Sequence, residues 1–177
     1  VPWYDTPIGS DDPALYKERD SRQFVMEKVM EDIDYAIENL PTTVDVYNVT
    51  RWTALALKSR ICLFEGTFRK YHGIDGSEEF LSACADASEK FISSSPYGIY
   101  TSGTYPYRDL FAAKNATSTQ TEVILARDYD KSQSIVHNIN MYALSTTYGM
   151  PGVTKKMVDS YLMADGTRFT DQPGYST

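Results

Sequence analysis

The chain has 177 residues, of which 42% are hydrophobic and 23% are charged, a composition typical of a single globular domain and not of a disordered segment. Its formal net charge is −7 at pH 7, and no run of Lys or Arg is present to neutralise phosphates, so we expect no nucleic-acid partner. No apolar run reaches the ~18–20 residues that a membrane-spanning helix needs.

The first predicted helix covers residues 21–39 and follows an irregular stretch that is punctuated by prolines. Its apolar residues recur with the 3.6-residue period of an amphipathic helix. Ser21 is a suitable N-cap, and Pro41 follows the end of the helix. We interpret its carboxylates as solvated surface, and not as the carboxylate pair that a glycosidase places across a sugar; they are Glu27, Glu31, Asp32, Asp34 and Glu38.

The second predicted helix covers residues 51–71, with Thr50 as its N-cap, and is apolar on nearly every side. A narrow polar stripe is formed by Arg51, Lys58, Glu65 and Arg69. Because a helix that is apolar almost all round packs between neighbours, we predict that this helix is the most buried of the chain and that Leu55 and Leu63 are both buried. A neighbouring helix could approach closely over its small residues, which are Ala54, Ala56, Ser59 and Gly66.

The third predicted helix covers residues 77–94 and follows a turn at residues 73–76 that contains two glycines. Its expected inward residues are Phe80, Cys84, Ala87, Ser88 and Phe91. Beyond residue 96 the chain is rich in Tyr, Thr, Ser and Gly, and we expect loops with short helices at residues 107–111 and 153–162 and a strand-like run at residues 122–129. We therefore predict an all-α domain in which residues 1–96 form packed helical repeats and residues 97–177 form a loop-rich cap with minimal strand.

The predicted helices resemble, in part, the hairpins of tetratricopeptide repeats. Trp52, Leu55 and Ala56 hold the spacing of that motif, whereas Ser59 stands where an aromatic anchor would follow. No repeat with the ~34-residue period of that motif is visible, so the packing is expected to be degenerate. Cys62 and Cys84 lie on helix faces among apolar residues, and we interpret them as buried free thiols.

Several short blocks of sequence occur in an order that resembles one protein family. They are residues 19–22 (RDSR), 32–37 (DIDYAI) with 40–41 (LP), 51–64 around ALAL, 97–100 (YGIY), 107–111 (YRDLF), 122–125 (EVIL) and 158–166 (VDSYLMADG). In these blocks the chain resembles the SusD/RagB-type glycan-binding proteins over nearly its whole length. The family is built on degenerate tetratricopeptide-like repeats, which agrees with the partial motif around Trp52.

The resemblance implies a surface-exposed lipoprotein of the bacterial outer membrane. Such proteins capture oligosaccharides and pass them to a SusC-like TonB-dependent transporter, without cleaving them and without a cofactor. Family members are longer and carry an acylated cysteine near the mature N-terminus, which is not seen here. We therefore expect this chain to be an excerpt that lacks the lipid-anchor region and the C-terminal part.

Residue patterns for catalysis or metal binding are weak. No HExxH, GxSxG or P-loop pattern occurs, and nothing near Ser134 and His137 would orient the imidazole. Residues 128–132 begin like a calcium loop, but Gln133 replaces the glycine and Ile139 replaces the bidentate glutamate that such a loop requires. We therefore expect no enzyme activity, no metal and no cofactor.

A sugar-binding surface remains as the candidate site. Aromatic faces pack against sugar C–H groups while polar neighbours bind hydroxyls, and residues 127–148 have this composition. The predicted contacts are Arg127, Tyr129, Asn138, Tyr142 and Tyr148, with His137 and Asn140 nearby. The tyrosine-rich residues 97–107 are a rival site.

Two other classes of function stay open. A helical-repeat scaffold that binds protein would be favoured by an exposed apolar groove on the helices together with loops that lack an aromatic platform. A glycan-active hydrolase would be favoured by two convergent carboxylates with separated pKa values.

Overall fold

The computed structural model describes residues 1–148 and 151–175. The chain packs as two compact units, Val1–Asp128 and Tyr129–Thr177. The described residues are mostly helical and contain no strand, only an isolated antiparallel bridge between Leu162 and Arg168. No helix among them combines the length and the apolar character that crossing a membrane requires. The all-α prediction is confirmed at this level.

Helix α1 spans Arg22–Asn39, in agreement with the predicted boundaries. The Ser21 hydroxyl accepts a hydrogen bond from the Phe24 N–H at 3.2 Å, which satisfies one of the amide donors that the first helical turn leaves without a partner. Leu40 closes the helix, because its extended backbone leads into Pro41.

Helix α2 spans Arg51–His72 and begins with a reciprocal capping box between Thr50 and Thr53. It ends at Gly73, whose φ of 63° lies in the left-handed region that glycine adopts without strain. Helix α3 spans Ser77–Ser94 and packs antiparallel to α2. The three long helices therefore begin and end where local sequence signals predicted.

Gly66 allows α2 and α3 to pack closely. A Cβ atom at this position would lie 2.7 Å from Leu81 Cγ and 3.1 Å from the Leu81 backbone nitrogen. Further along the same interface, the Ser59 and Ser88 hydroxyls are hydrogen-bonded at 2.7 Å. The prediction that small residues of α2 receive a close neighbour is confirmed.

The core of the first unit lies where all three helices meet. Its buried residues are Ile37, Trp52, Ala54, Leu55 and Ala87. Phe91 packs edge-on against Trp52, with ring centroids 6.3 Å apart, and the Trp52 indole donates a hydrogen bond to the Thr42 carbonyl at 2.9 Å. On the α1 side, the buried Cys62 thiol lies 3.7 Å from Met30 Sδ, and burial raises the pKa of that thiol.

The prediction for Leu63 is wrong. Helix α2 has more buried residues than α1 or α3, and Leu55 is 1% exposed, but Leu63 is 51% exposed. In the described structure α2 packs mainly against α1 and α3, so the part of its circumference that neither helix covers stays in contact with solvent. Leu57 and Phe64 are exposed for the same reason.

The polar stripe predicted on α2 also requires a correction, because Glu65 and Arg69 are buried. The Glu65 carboxylate accepts hydrogen bonds from Arg22 Nη2 at 2.5 Å and from Arg69 Nε at 2.8 Å. Arg69 Nη1 also donates to the Asp75 carbonyl at 2.8 Å, in the turn before α3. A buried charge needs this kind of pairing, and a helical-wheel projection does not reveal it.

Both arginines also pack against aromatic rings. The Arg22 guanidinium lies 3.9 Å from the Phe68 ring centroid, and that of Arg69 lies 4.7 Å from the Phe80 centroid. Burial by itself would raise the pKa of Glu65, but the hydrogen bonds from Arg22 and Arg69 outweigh that effect and the pKa is lowered. Glu65 is therefore held ionised as a structural anion.

The strand-like run predicted at residues 122–129 is not a strand. The Ala126 N–H donates to the Val46 carbonyl at 2.7 Å, but no ladder of further bonds follows among the described residues. Helix α4, Pro106–Ala112, lies earlier in the same unit and agrees with the short helix expected there.

The second unit is built from short elements. Helix α5 spans Ile139–Leu144 and helix α6 spans Lys155–Asp159. The α6 helix is shorter than the predicted helix at residues 153–162, because Thr154 caps its start and the Leu162–Arg168 bridge follows it. Almost every described side chain of this unit is exposed or partly exposed. The predicted division of one domain at residue 96 stays a prediction.

Replacing Leu55 and Leu63 in turn compares a buried with an exposed position of α2 in their contribution to stability. We expect Leu55→Ala to lower the free energy of unfolding by ~2–5 kcal/mol, because it leaves a cavity in the core. Leu63→Ala should change it by less than ~0.5 kcal/mol. Urea denaturation followed by circular dichroism measures both values, and equal losses would contradict the assigned burial.

Glu65 also gives a prediction for pH dependence. A carboxylate whose folded pKa is lowered contributes stability above its unfolded pKa, and this contribution is lost as the pH falls through the folded pKa. Glu65→Gln should therefore cost ~3–5 kcal/mol at neutral pH, and the difference from the parent should shrink in acid. Glu31→Gln, which breaks an exposed ion pair with Lys28, is the control and should cost less than ~1 kcal/mol. A pH-independent difference for Glu65→Gln would contradict this account.

Candidate functional site

Two of the predicted contact residues, Tyr142 and Tyr148, lie against each other in the second unit. Tyr142 is on α5, and Tyr148 ends the 3₁₀ helix Thr146–Tyr148 that follows. Their ring centroids are 5.3 Å apart with an interplanar angle of 78°, an edge-to-face arrangement that aromatic pairs favour. The side chains are 47% and 46% exposed, so this pair presents aromatic surface to solvent.

Asn138 lies one helical turn before Tyr142, at the start of α5. Its carbonyl accepts a hydrogen bond from the Tyr142 N–H at 3.1 Å, whereas its side chain makes no capping hydrogen bond. Asn138 therefore lies one turn from Tyr142 along the chain, and its amide offers both donors and an acceptor.

Tyr129 packs edge-to-face with His137, with ring centroids 4.9 Å apart and an interplanar angle of 89°. Nδ1 of His137 accepts a hydrogen bond from the Ile139 N–H at 3.4 Å. No hydrogen bond joins His137 to Ser134 among the described residues. The imidazole therefore packs against Tyr129 and forms a hydrogen bond at the start of α5.

Asp130 explains why residues 128–132 resemble a calcium loop. Its Oδ1 accepts hydrogen bonds from both the N–H and the hydroxyl of Ser132, each at 2.7 Å, and caps the 3₁₀ helix Lys131–Gln133. These bonds lower the pKa of the Asp130 carboxyl, with the Ser132 hydroxyl as the largest cause. The pattern encodes an Asx turn that fixes the backbone between Tyr129 and His137.

Arg127 belongs to the first unit, where it is exposed just after the Ala126–Val46 hydrogen bond. The other predicted contacts, Tyr129, Asn138, Tyr142 and Tyr148, belong to the second unit. The role of Arg127 beside these residues stays a prediction.

The rival aromatic site has a geometry of its own on α4. Tyr107 and Phe111 pack edge-to-face with centroids 5.0 Å apart, and together with Arg108 they line an open cavity of about 560 Å³. The predicted rival site covered residues 97–107 and so left out Arg108 and Phe111. Their spacing was the available signal, because residues four apart on a helix are neighbours.

The carboxylates of α1 are largely engaged in surface contacts. Asp34 pairs with Lys58, and Glu31 pairs with Lys28, while Glu27 accepts a hydrogen bond from Gln23. Within the described ranges, no group of three or more His, Cys, Asp or Glu side chains is arranged to hold a metal ion. The acidic face of α1 therefore has the character of a solvated helix surface.

Comparison of the chain with family models, with curated proteins and with solved structures gave no match. The chemistry of its own surface is therefore what points to a function. The described residues of the second unit offer two aromatic pairs, Tyr129–His137 and Tyr142–Tyr148. The Asn138 amide lies between these pairs in the sequence, at the start of α5.

Calcium addition tests the interpretation of the Asx turn. We expect no change in Tm on addition of calcium chloride, because the Asp130 oxygen that a loop site would use already accepts two hydrogen bonds from Ser132. Differential scanning calorimetry with and without a chelator measures this. A calcium-dependent rise in Tm that Asp130→Asn abolishes would show that the loop binds the ion.

Proposed function

We propose that this protein captures oligosaccharides through the aromatic pairs of its second unit, without cleaving them. The observation that carries the proposal is the half-exposed Tyr142–Tyr148 pair, with the Asn138 amide one helical turn away. A pyranose ring has apolar C–H faces and a rim of hydroxyls. An aromatic face can cover the C–H face of the sugar, and an amide that donates and accepts hydrogen bonds can bind its hydroxyls.

The edge-to-face contact supports this role in a second way. Each tyrosine limits the rotation of the other, so less side-chain freedom would be lost when a sugar binds than for an isolated surface tyrosine. The Asx turn at Asp130 gives the Tyr129–His137 pair a similar local support. Capture requires no activated nucleophile, and its affinity depends on such preorganised surfaces.

The resemblance to SusD/RagB-type proteins supports the same function. On this proposal the α1–α3 layer belongs to a set of degenerate tetratricopeptide-like repeats, and the second unit forms part of a loop-rich cap. The protein would then be a lipid-anchored component of the bacterial outer-membrane surface. Its partner would be a SusC-like TonB-dependent transporter that receives the captured glycan.

A helical-repeat scaffold is the second candidate. The α1–α2 face does expose an apolar groove, which is one of the two features expected of a scaffold. The other expected feature, loops without an aromatic platform, does not agree with the Tyr142–Tyr148 pair. A glycan-active hydrolase lacks a supporting observation, since the buried Glu65 is neutralised by two arginines.

Alanine substitution of the tyrosines tests glycan capture. A glycan array identifies the oligosaccharide to use, and isothermal titration calorimetry then measures its Kd. Tyr142→Ala and Tyr148→Ala should each raise the Kd by roughly tenfold, and a triple variant that adds Tyr129→Ala should raise it further. Tm should change little, because all three side chains are about half exposed.

Tyr71→Ala is the matched control, because Tyr71 is a more exposed tyrosine of the first unit that lies outside both candidate sites, and it should leave the Kd unchanged. Tyr107→Ala reports on the rival site on α4. If the folded triple variant binds as well as the parent, the proposed site is wrong. Release of reducing sugar by the purified protein, abolished by one carboxylate substitution, would favour the hydrolase instead.

A further inference from the structure

The charges of the chain are divided unequally between its two units. The second unit, Tyr129–Thr177, contains four Lys or Arg residues, four Asp residues and no Glu, so its formal charge at pH 7 is zero. The first unit, Val1–Asp128, therefore carries the whole formal charge of −7. The half-exposed Tyr142–Tyr148 pair belongs to the neutral unit.

The segment that carries this pair is also uncharged along its sequence. Residues 132–154 contain no Asp, Glu, Lys or Arg, although 23% of the chain consists of these residues. The run begins after Lys131 and ends before Lys155, and its one basic side chain, His137, is counted as neutral at pH 7. Both tyrosines therefore lie within a long charge-free stretch of the sequence.

Neutral polar groups take the place of charges on this segment. Helix α5 packs against the 3₁₀ helix that follows it, and exposed side chains on and beside the two helices include Asn138, Asn140, Thr146 and Thr147. Neither of the two side-chain amides forms a hydrogen bond with another described residue. The segment therefore offers amides and hydroxyls to a ligand, and no ion.

The carboxylates elsewhere in the second unit are largely used in local bonds. Asp159 pairs with Lys155 at 2.8 Å within α6. Asp165 accepts hydrogen bonds from the N–H and the hydroxyl of Thr167 at 2.9 and 2.7 Å, and Asp130 caps the 3₁₀ helix that begins at residue 131. Three of the four carboxylates of the unit are therefore engaged by their own neighbours in the chain.

We propose that the Tyr142–Tyr148 surface selects neutral oligosaccharides, that is, glycans without carboxylate, sulfate or phosphate groups. The inference rests on the proposed function and names its substrate class. A sugar hydroxyl that leaves water can be compensated by an amide or a hydroxyl of the segment. A carboxylate or a sulfate would need a cationic partner such as Arg to offset the loss of its hydration, and residues 132–154 supply none.

The charge of the whole chain acts in the same direction. A protein with a formal net charge of −7 repels polyanions at low ionic strength. A neutral glycan is not subject to this repulsion, and salt has no charge pair to screen when such a glycan binds. The affinity for a neutral glycan should therefore be almost independent of ionic strength.

A glycan array that carries both classes of oligosaccharide tests the selectivity. Its neutral members are gluco-, manno-, galacto-, xylo- and fructo-oligosaccharides, and its acidic members are oligogalacturonates, oligomannuronates and sulfated oligosaccharides. We expect the strongest signals from neutral members. Isothermal titration calorimetry of the strongest neutral binder should give a Kd that changes by less than about twofold between ~20 and ~500 mM NaCl.

Removal of cations is the second test. Lys131, Lys156 and Arg168 are the cations of the second unit that form no ion pair with a described residue. Replacing each of them by Ala should change the Kd of the same neutral oligosaccharide by less than about twofold, whereas Tyr142→Ala should raise it by roughly tenfold. Circular dichroism checks that every variant is folded.

The outcomes separate this inference from the proposed function. An acidic oligosaccharide that binds as tightly as the best neutral one, and loses its affinity in Tyr142→Ala, overturns the neutral selectivity but leaves glycan capture at this surface standing. A tenfold loss of neutral binding on removal of one cation does the same. Binding of neither class, or binding that Tyr142→Ala leaves unchanged, overturns both proposals.

Discussion

The buried Glu65 carboxylate is the contact on which the packing of the long helices depends. It joins the first turn of α1, through Arg22, to the last turns of α2, through Arg69, and Arg69 continues to the Asp75 carbonyl before α3. A buried carboxylate without these donors would cost several kcal/mol of stability. Any arrangement that separates the three segments would therefore break hydrogen bonds of the Glu65 network and be less stable. The apolar contacts around Leu55 supply the driving force, and the Glu65 network fixes the register.

The two units differ in how they hold their side chains in place. In the first unit, interlocking helices and buried rings restrict the residues. In the second, short helices and local side-chain bonds do so, such as the bonds from Ser132 to Asp130 and from Thr167 to Asp165. Surfaces of this second kind adapt more easily to a ligand, because few buried contacts are lost when a loop shifts. On the proposed function, an adaptable aromatic surface of this kind suits a protein that must release the glycan it captures.

The sequence allowed the ends of the three long helices to be predicted because their signals are local: Ser21, Thr50 and Gly73 act within one turn. It did not allow the burial of Leu63 or Glu65 to be predicted, because both depend on how many neighbours α2 has. The apolar run at residues 122–129 suggested a strand, but a strand needs a paired edge and only the Ala126–Val46 bond formed. For the candidate site, composition indicated the tyrosines, whereas the contact of Tyr142 with Tyr148 crosses a turn that no sequence pattern specified.

Cys62 gives the structure an internal reporter of motion. Its thiol is fully buried against Met30 between α1 and α2, and its raised pKa keeps it protonated, whereas the thiolate is the reactive form. An alkylating reagent can therefore reach it only while α1 is separated from α2. At low reagent concentration, the rate of modification reports the equilibrium between the closed and open forms of the helix pair. At high reagent concentration, it reports the rate of opening itself.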